Sequence, residues 1–113
     1  MKKDLSNIKK AKYLLDNNHC VAIPTETVYG LAANAYSDKA TSKIFKLKKR
    51  PKSNPLIVHY SRVQDLRKDC EINSNFQKLY SKFCPGPLTF VLKLKKESKI
   101  SKNVTNRKNT LAV

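Results

Sequence analysis

A pair of cations, Lys48 and Arg50, stands at the end of a helical pattern that Pro51 terminates. Gly30 and Gly86 are the only glycines, which excludes a glycine-rich loop that holds phosphate through backbone amides. Side chains must therefore hold any phosphate, and this pair is well placed to do so. Cations in the last turn of a helix also complement the helix dipole, so the residues alone leave both interpretations open.

A polar turn and an imidazole are the other candidates for chemistry. Thr25, Glu26 and Thr27 follow a short apolar run that could be a strand, and their hydroxyls and amides could orient a small polar ligand or simply form a turn. His59 closes a second apolar run, where an imidazole needs a ligand or a hydrogen-bond partner. His19 and His59 lie far apart and carboxylates are few, so no protein-bound metal is predicted.

Alternating helical and strand patterns predict an α/β fold in which strand ends position these groups. Apolar spacing predicts helices over residues 5–17, 38–48, around 63–66 and around 76–83. Their predicted N-terminal caps are Asp4 or Ser6, Ser37, Ser61 and Ser74. Strands are predicted over residues 20–23, 56–60, 88–95 and 110–113. The run 56–60 is apolar on both faces and is expected to be a central strand. Tyr29-Gly30 is interpreted as a hinge. Residues 95–109 are expected to form a mobile polar loop.

Composition narrows the class of protein. A chain of 113 residues is expected to be one domain, and no apolar run is long enough to span a membrane. Cys20, Cys70 and Cys84 fit neither a disulfide framework nor a zinc site, which favours a reduced, cytoplasmic compartment. The net charge of +16 favours attraction to RNA. However, the excess of positive charge comes mainly from lysines scattered along the chain, and this favours a basic enzyme over a dedicated nucleic-acid module.

Three ordered motifs carry a resemblance to a known family. They are PTETVYGL at residues 24–31, KIFKLKKRPKSNPLIVH at 43–59 and PGPLTFVLK at 85–93. In these motifs the chain resembles the YrdC-like family, the threonylcarbamoyl-AMP synthases of tRNA modification. The resemblance implies a twisted open mixed sheet with flanking helices. It also implies formation of threonylcarbamoyl-adenylate and pyrophosphate from L-threonine, bicarbonate (or CO₂) and ATP.

The resemblance also implies roles for individual residues. Lys48 and Arg50 match the Lys-x-Arg that engages the nucleotide phosphates and serves catalysis, and Lys52 and Asn54 belong to the turn near the nucleotide. The implied threonine site comprises Thr25, Thr27 and His59. Mg²⁺ is expected to arrive with ATP. The expected partners are tRNA or double-stranded RNA on the basic surface and the proteins that complete N6-threonylcarbamoyladenosine (t6A) on tRNA.

One departure from the family pattern concerns length. The family domain continues into an Arg-x-Pro segment and a Ser-x-Asn motif that complete the nucleotide site, and neither occurs in residues 1–113. We therefore expect residues 1–113 to be a YrdC-like domain without its C-terminal part, and expect no turnover by this form alone. Two alternatives stay open: a non-catalytic, basic RNA-binding fragment of the same fold, and a carbamoyl-transfer domain of the hydrogenase-maturation type.

Overall fold

The computed structural model describes residues 5–113, which form a mixture of helices and short strands, so the predicted α/β class is confirmed. In chain order the elements are α1 (Leu5–Asp16), β1 (Val21–Pro24), β2 (Tyr29–Ala32), α2 (Asp38–Lys48), α3 (Val63–Asp69), α4 (Ser74–Phe83), β3 (Val91–Lys93), α5 (Lys102–Thr105) and β4 (Thr110–Ala112). They fall into two compact units, Met1–Pro51 and Lys52–Val113. None of the described helices has the length and apolar character needed to cross a membrane.

The first unit begins with α1, which ends close to the predicted position. Asn18 adopts the left-handed conformation (φ 63°) that terminates a helix, and the amide of His19 donates to the carbonyl of Leu14. In the second half of α1 the apolar residues Ala11, Leu14 and Leu15 are half-buried. In its first half, Leu5 and Ile8 are exposed. Asp4, one of the two predicted caps, lies outside the described residues.

Strand β1 pairs antiparallel with β2 in a hairpin. The register places Ile23 opposite Gly30 and Pro24 opposite Tyr29. The prediction of a hinge at Tyr29-Gly30 is wrong, because these residues begin a strand. A strand containing glycine and alanine lacks the run of β-branched residues by which strands are recognised in a sequence.

Helix α2 has the predicted bounds and the predicted cap. The Ser37 hydroxyl accepts a hydrogen bond from the amide of Ala40 at 3.1 Å. Ala40, Ile44 and Phe45 are buried as expected, together with Thr41. The apolar spacing that predicts this helix also includes Leu47, but its side chain is 67% exposed.

The second unit contains mixed strand pairing. β3 pairs antiparallel with β4, Ile57 forms a parallel bridge with Ala112, and Leu94 forms an antiparallel bridge with Cys70. The prediction of a central strand over 56–60 is wrong within the described residues, since only that single bridge forms and Ile57 is 53% exposed. An apolar run looks the same in sequence whether one or both of its edges are paired.

Two other predictions in the second unit are wrong. Arg62 and Asn73, rather than Ser61 and Ser74, occupy the N-cap positions of α3 and α4, and only Asn73 accepts a hydrogen bond from the helix there. The predicted mobile loop over 95–109 contains helix α5, which begins after Ser101. Two apolar residues four positions apart, Ile100 and Val104, are buried and hold this segment in the core.

Candidate active site

The hydroxyl of Thr25 organises the turn between β1 and β2. Its Oγ1 accepts hydrogen bonds from the amides of Val28 at 3.2 Å and Thr27 at 3.4 Å, and donates to the carbonyl of Val28. This hydroxyl therefore fixes the shape of the turn, and with it the direction of the amides of residues 26–28. Thr25 and Thr27, the two predicted threonine-binding hydroxyls of this unit, lie together on this exposed turn.

The start of β2 packs closely behind the turn. A Cβ added to Gly30 would lie 3.3 Å from the Cγ2 methyl of Thr25, so a larger residue would press on the turn. Beside it, the side chain of Tyr29 is 77% exposed. The turn is thus supported on one side by a glycine and bordered by an exposed aromatic ring.

Lys48 and Arg50 flank a backbone reversal at the end of α2. Lys49 is left-handed (φ 50°), and its amide and that of Arg50 donate to the carbonyls of Lys46 and Phe45 at 3.3 and 3.0 Å. These bonds satisfy two of the carbonyls at the helix end. Lys48 is exposed and Arg50 is half-buried. Backbone amides thus cap two carbonyls at this end, and the phosphate-binding role of Lys48 and Arg50 stays a prediction.

The remaining predicted site residues belong to the second unit. Lys52 and Asn54 lie on an exposed segment before the extended run that contains His59. His59 is exposed, which corrects the expectation that it closes a fully buried strand. An exposed imidazole needs no protein partner, so its position is compatible with contact to a ligand.

His59 borders a cavity of about 500 Å³ in the second unit. Cys84, Pro85 and Gly86 also line this cavity, so the end of the motif at residues 43–59 lies across it from the start of the motif at residues 85–93. The peptide bond between Cys84 and Pro85 is cis. Aromatic and aliphatic side chains form much of the remaining wall. They are Val58, Leu66, Phe76, Tyr80, Leu88 and Phe90, and the rings of Phe76 and Phe90 meet edge-to-face at 4.7 Å.

Arg62 lines the same cavity and was missed by the sequence analysis. Its guanidinium donates to both carboxylate oxygens of Asp65, at 3.0 and 3.2 Å. This hydrogen bonding holds the pKa of Asp65 below its ordinary value and raises that of Arg62. An arginine followed three residues later by an aspartate at a helix start was the available signal.

The three cysteine thiols are free, and they differ in their environments. Burial of Cys70, with the carboxylate of Asp69 nearby, raises its pKa to about 11. Desolvation also raises the pKa of Cys20, which lies just before β1. No group of three or more His, Cys, Asp or Glu residues in the range 5–113 is placed to hold a metal ion.

The predicted site residues thus divide between the two units. The first holds the turn residues Thr25 and Thr27 and the cations Lys48 and Arg50, and the second holds Lys52, Asn54 and His59.

Comparison with known proteins places the chain in a family. The family model Sua5_yciO_yrdC, described as "Telomere recombination", matches residues 13–113. The chain belongs to the Sua5/YciO/YrdC family. The threonylcarbamoyl-AMP synthase of Bacillus subtilis is 42% identical over 109 residues, covering 94% of this chain and 31% of that protein.

Solved structures of Sua5/YciO/YrdC members agree with the fold. A Pyrococcus abyssi Sua5 complexed with L-threonine matches with a TM-score of 0.93 and 37% identity, over 100% of this chain and 33% of that one. Full-length HypF in its phosphate- and nucleotide-bound form matches with a TM-score of 0.82 and 27% identity, over 94% of this chain and 16% of that one. The chain therefore spans about a third of the length of the synthases it matches.

Proposed function

We propose that this chain contributes the threonine turn and the phosphate-binding cations of a threonylcarbamoyl-AMP synthase, a nucleotidyltransferase. The observation that carries the proposal is the 42% identity with a protein of that name across nearly the whole chain, including the segment that contains Lys48 and Arg50. The match to a Sua5 complexed with L-threonine supports an amino-acid substrate.

The proposed reaction joins L-threonine, bicarbonate (or CO₂) and ATP. The threonine amine and bicarbonate form a carbamate with release of water. A carbamate oxygen then bonds to the α-phosphorus of ATP, the bond from that phosphorus to the bridging oxygen breaks, and pyrophosphate leaves. Such a displacement depends on in-line positioning and charge neutralisation rather than on a covalent nucleophile.

The chain's own residues suit that requirement. Lys48 and Arg50 are proposed to neutralise the phosphates and the charge that develops at the α-phosphorus, with Lys52 and Asn54 assisting nucleotide binding. Thr25 is proposed to act mainly by shaping the turn, since its hydroxyl already makes three hydrogen bonds with Thr27 and Val28.

The remaining parts of the threonine site are proposed from the amides of the turn, the hydroxyl of Thr27 and the exposed imidazole of His59. Mg²⁺ is proposed to enter with ATP, because it is commonly held by substrate phosphates and water with one or two carboxylates. The product is proposed to supply the t6A modification of tRNA through further proteins in the cytoplasm.

A carbamoyl-transfer role of the HypF type is the second candidate, supported by the match to that protein. Two observations favour the synthase. The Sua5 match has the higher identity, 37% against 27%, and the higher TM-score, 0.93 against 0.82. The two activities differ in their need for threonine, which provides a direct test.

The test uses a hybrid enzyme, in which this chain replaces the matching segment of the Bacillus subtilis synthase and the rest of that protein is retained. We expect pyrophosphate release that requires ATP, threonine and bicarbonate together. Neutralising both cations by Lys48→Gln and Arg50→Gln should abolish most of this pyrophosphate release. Pyrophosphate release that is independent of threonine would contradict the synthase assignment, as would full activity of the doubly neutralised hybrid.

A further inference from the structure

The backbone that carries His59 leaves its strand pairing just before that residue. The amide of Val58 donates to the carbonyl of Ala112 at 2.9 Å, and Ile57 forms the parallel bridge with Ala112. His59 and Tyr60 themselves lie in neither a helix nor a strand. Because the His59 side chain is exposed, few neighbours hold it, and the position of its imidazole depends mainly on the backbone of these two residues.

The side chain of Tyr60 anchors this backbone beyond Val58. Its hydroxyl donates to the carboxylate of Asp69 at 2.7 Å. Together with the backbone, this hydrogen bond closes a loop that runs from Tyr60 to Asp69. Much of the loop lines the cavity that His59 borders, through Tyr60, Ser61, Arg62, Val63 and Leu66. The hydrogen bond therefore holds one wall of the cavity in place.

Asp69 is itself held firmly in the second unit. It is the last residue of helix α3 and is 3% exposed. Its backbone carbonyl accepts the amide of Lys95 at 2.7 Å. The next residue, Cys70, forms the antiparallel bridge with Leu94. Asp69 is thus a fixed point to which Tyr60 is tied.

The charge of Asp69 suits a positioning role better than a purely stabilising one. Burying a carboxylate is costly, and apolar packing in place of a buried charged group often leaves a protein equally stable or more stable. A charged acceptor gives a short, directional hydrogen bond that fixes the place of its donor. Here the donor is Tyr60, whose neighbour along the chain is the candidate threonine-binding residue His59.

We propose that the Tyr60–Asp69 pair positions the imidazole of His59 for contact with L-threonine at the cavity. The inference rests on the proposed function, which gives His59 its role in the threonine site, and deepens it by assigning two positioning residues. Neither residue is proposed to touch the reacting atoms. His59, the pair and the cavity all belong to the second unit.

The experiment measures pyrophosphate release by the hybrid enzyme with Tyr60→Phe, which removes the hydroxyl and keeps the ring. Ser98→Ala is the matched control, because the Ser98 hydroxyl donates to the other oxygen of the same carboxylate, also at 2.7 Å. Each variant removes one hydrogen bond from Asp69, but only Tyr60 is the chain neighbour of His59. Circular dichroism checks that each variant is folded.

We expect Tyr60→Phe to raise KM for threonine by about tenfold, which corresponds to the loss of about 1.4 kcal/mol of binding. Its kcat and its KM for ATP should stay within about twofold, because the lost contact serves threonine binding alone. Ser98→Ala should leave KM for threonine within about twofold. If Tyr60→Phe does not fold, Asp69→Asn weakens the same hydrogen bond and should raise KM for threonine by about threefold.

A double-mutant cycle separates positioning from direct contact. In a His59→Ala background, Tyr60→Phe should raise KM for threonine no further, because the residue through which it acts is gone. An equally large rise in that background would overturn the proposal, since Tyr60 would then act independently of His59. Equal rises for Tyr60→Phe and Ser98→Ala would overturn it too, as general loosening of the unit would be responsible, and so would an unchanged KM in Tyr60→Phe.

A second measurement needs neither substrate nor activity. In proton NMR of the 113-residue chain, the imidazole of His59 gives one of two histidine signals, which His59→Ala identifies. Tyr60→Phe should move this signal toward its position in the unfolded chain, whereas Ser98→Ala should leave it in place. A signal that Tyr60→Phe does not move would overturn the proposal. A hybrid that releases no pyrophosphate with threonine would instead overturn the proposed function, and the NMR signal would still decide whether the pair positions His59.

Discussion

A buried carboxylate connects three segments of the second unit, and removing one of its donors gives a quantitative test of the packing. Asp69, at the end of α3, is 3% exposed. Its two carboxylate oxygens accept hydrogen bonds from the hydroxyls of Tyr60 and Ser98, each at 2.7 Å. Its backbone carbonyl accepts the amide of Lys95 at 2.7 Å. The carboxylate thus fastens both the run that contains His59 and the segment that leads into α5.

The expected cost follows from the charge of the acceptor. A hydrogen bond to a charged group contributes about 1.5–3 kcal/mol, because its loss leaves a buried charge less well solvated. We therefore expect Ser98→Ala and Tyr60→Phe each to lower the free energy of unfolding by about 1.5–3 kcal/mol. In an Asp69→Asn background the cost of Ser98→Ala should fall to about 0.5–1.5 kcal/mol, the value for a neutral acceptor.

The assay is urea unfolding followed by circular dichroism, with Ser53→Ala and Tyr80→Phe as matched controls. Both control side chains are exposed, so their effects should stay within about 0.5 kcal/mol. Costs for Ser98→Ala and Tyr60→Phe that are no larger than those of the controls would refute the role of Asp69. So would an unchanged cost of Ser98→Ala in the Asp69→Asn background, since the charge would then be irrelevant.

Three further predictions concern single residues of the second unit. Gly86→Ala should lower the free energy of unfolding by about 1–3 kcal/mol, because the added Cβ would lie 2.4 Å from the carbonyl oxygen of Phe83. An unchanged midpoint of urea unfolding would contradict this. Of the three cysteines, Cys70 should react most slowly with maleimide at pH 8, because its side chain is buried and its pKa of about 11 leaves only ~0.1% of it as thiolate. Labelling of Cys70 before the chain unfolds would contradict this. The pKa of Asp65 is lower in the folded than in the unfolded chain, so its stabilising effect is present above the unfolded pKa and is lost as the pH falls through the folded value. The stability difference between the original chain and Asp65→Asn should therefore vanish in acid, and a difference independent of pH would contradict the pairing with Arg62.

The sequence predicted elements well where local signals agree with one another. The helix Asp38–Lys48 combines a capping serine, an apolar stripe and a following proline, and its bounds and cap are both confirmed. Helix α1 likewise ends at Asp16, one residue before the predicted end, and the left-handed Asn18 follows it. The pattern of alternating apolar residues around β3 correctly indicates one buried and one exposed face, since Leu92 is buried between the exposed Val91 and Lys93.

It failed where tertiary contacts decide the outcome. Helix α5 is short, and the segment 95–109 that contains it is polar except for Ile100 and Val104, so only their burial reveals it. The run that contains Ile57 is apolar enough for a central strand, but the number of its paired edges depends on distant parts of the chain. For the candidate site, the motifs predicted the turn and the cations, and their roles stay predictions. No sequence pattern indicates the hydrogen bonds between the Thr25 hydroxyl and Val28 or the cavity beside Arg62, because both depend on the folded backbone.

Lys48 and Arg50 are proposed to hold the phosphates of ATP, and one calorimetric titration tests this role most directly. The dissociation constant of ATP is measured for the hybrid enzyme, for its Lys48→Gln/Arg50→Gln variant and for a Lys39→Gln/Lys46→Gln control. The control removes the same amount of charge from within helix α2. We predict that the first variant binds ATP about 100-fold more weakly, from two charge-assisted contacts of about 1.5 kcal/mol each, and that the control stays within about twofold. Equal affinity of the original hybrid and the Lys48→Gln/Arg50→Gln variant would contradict the assignment of the site.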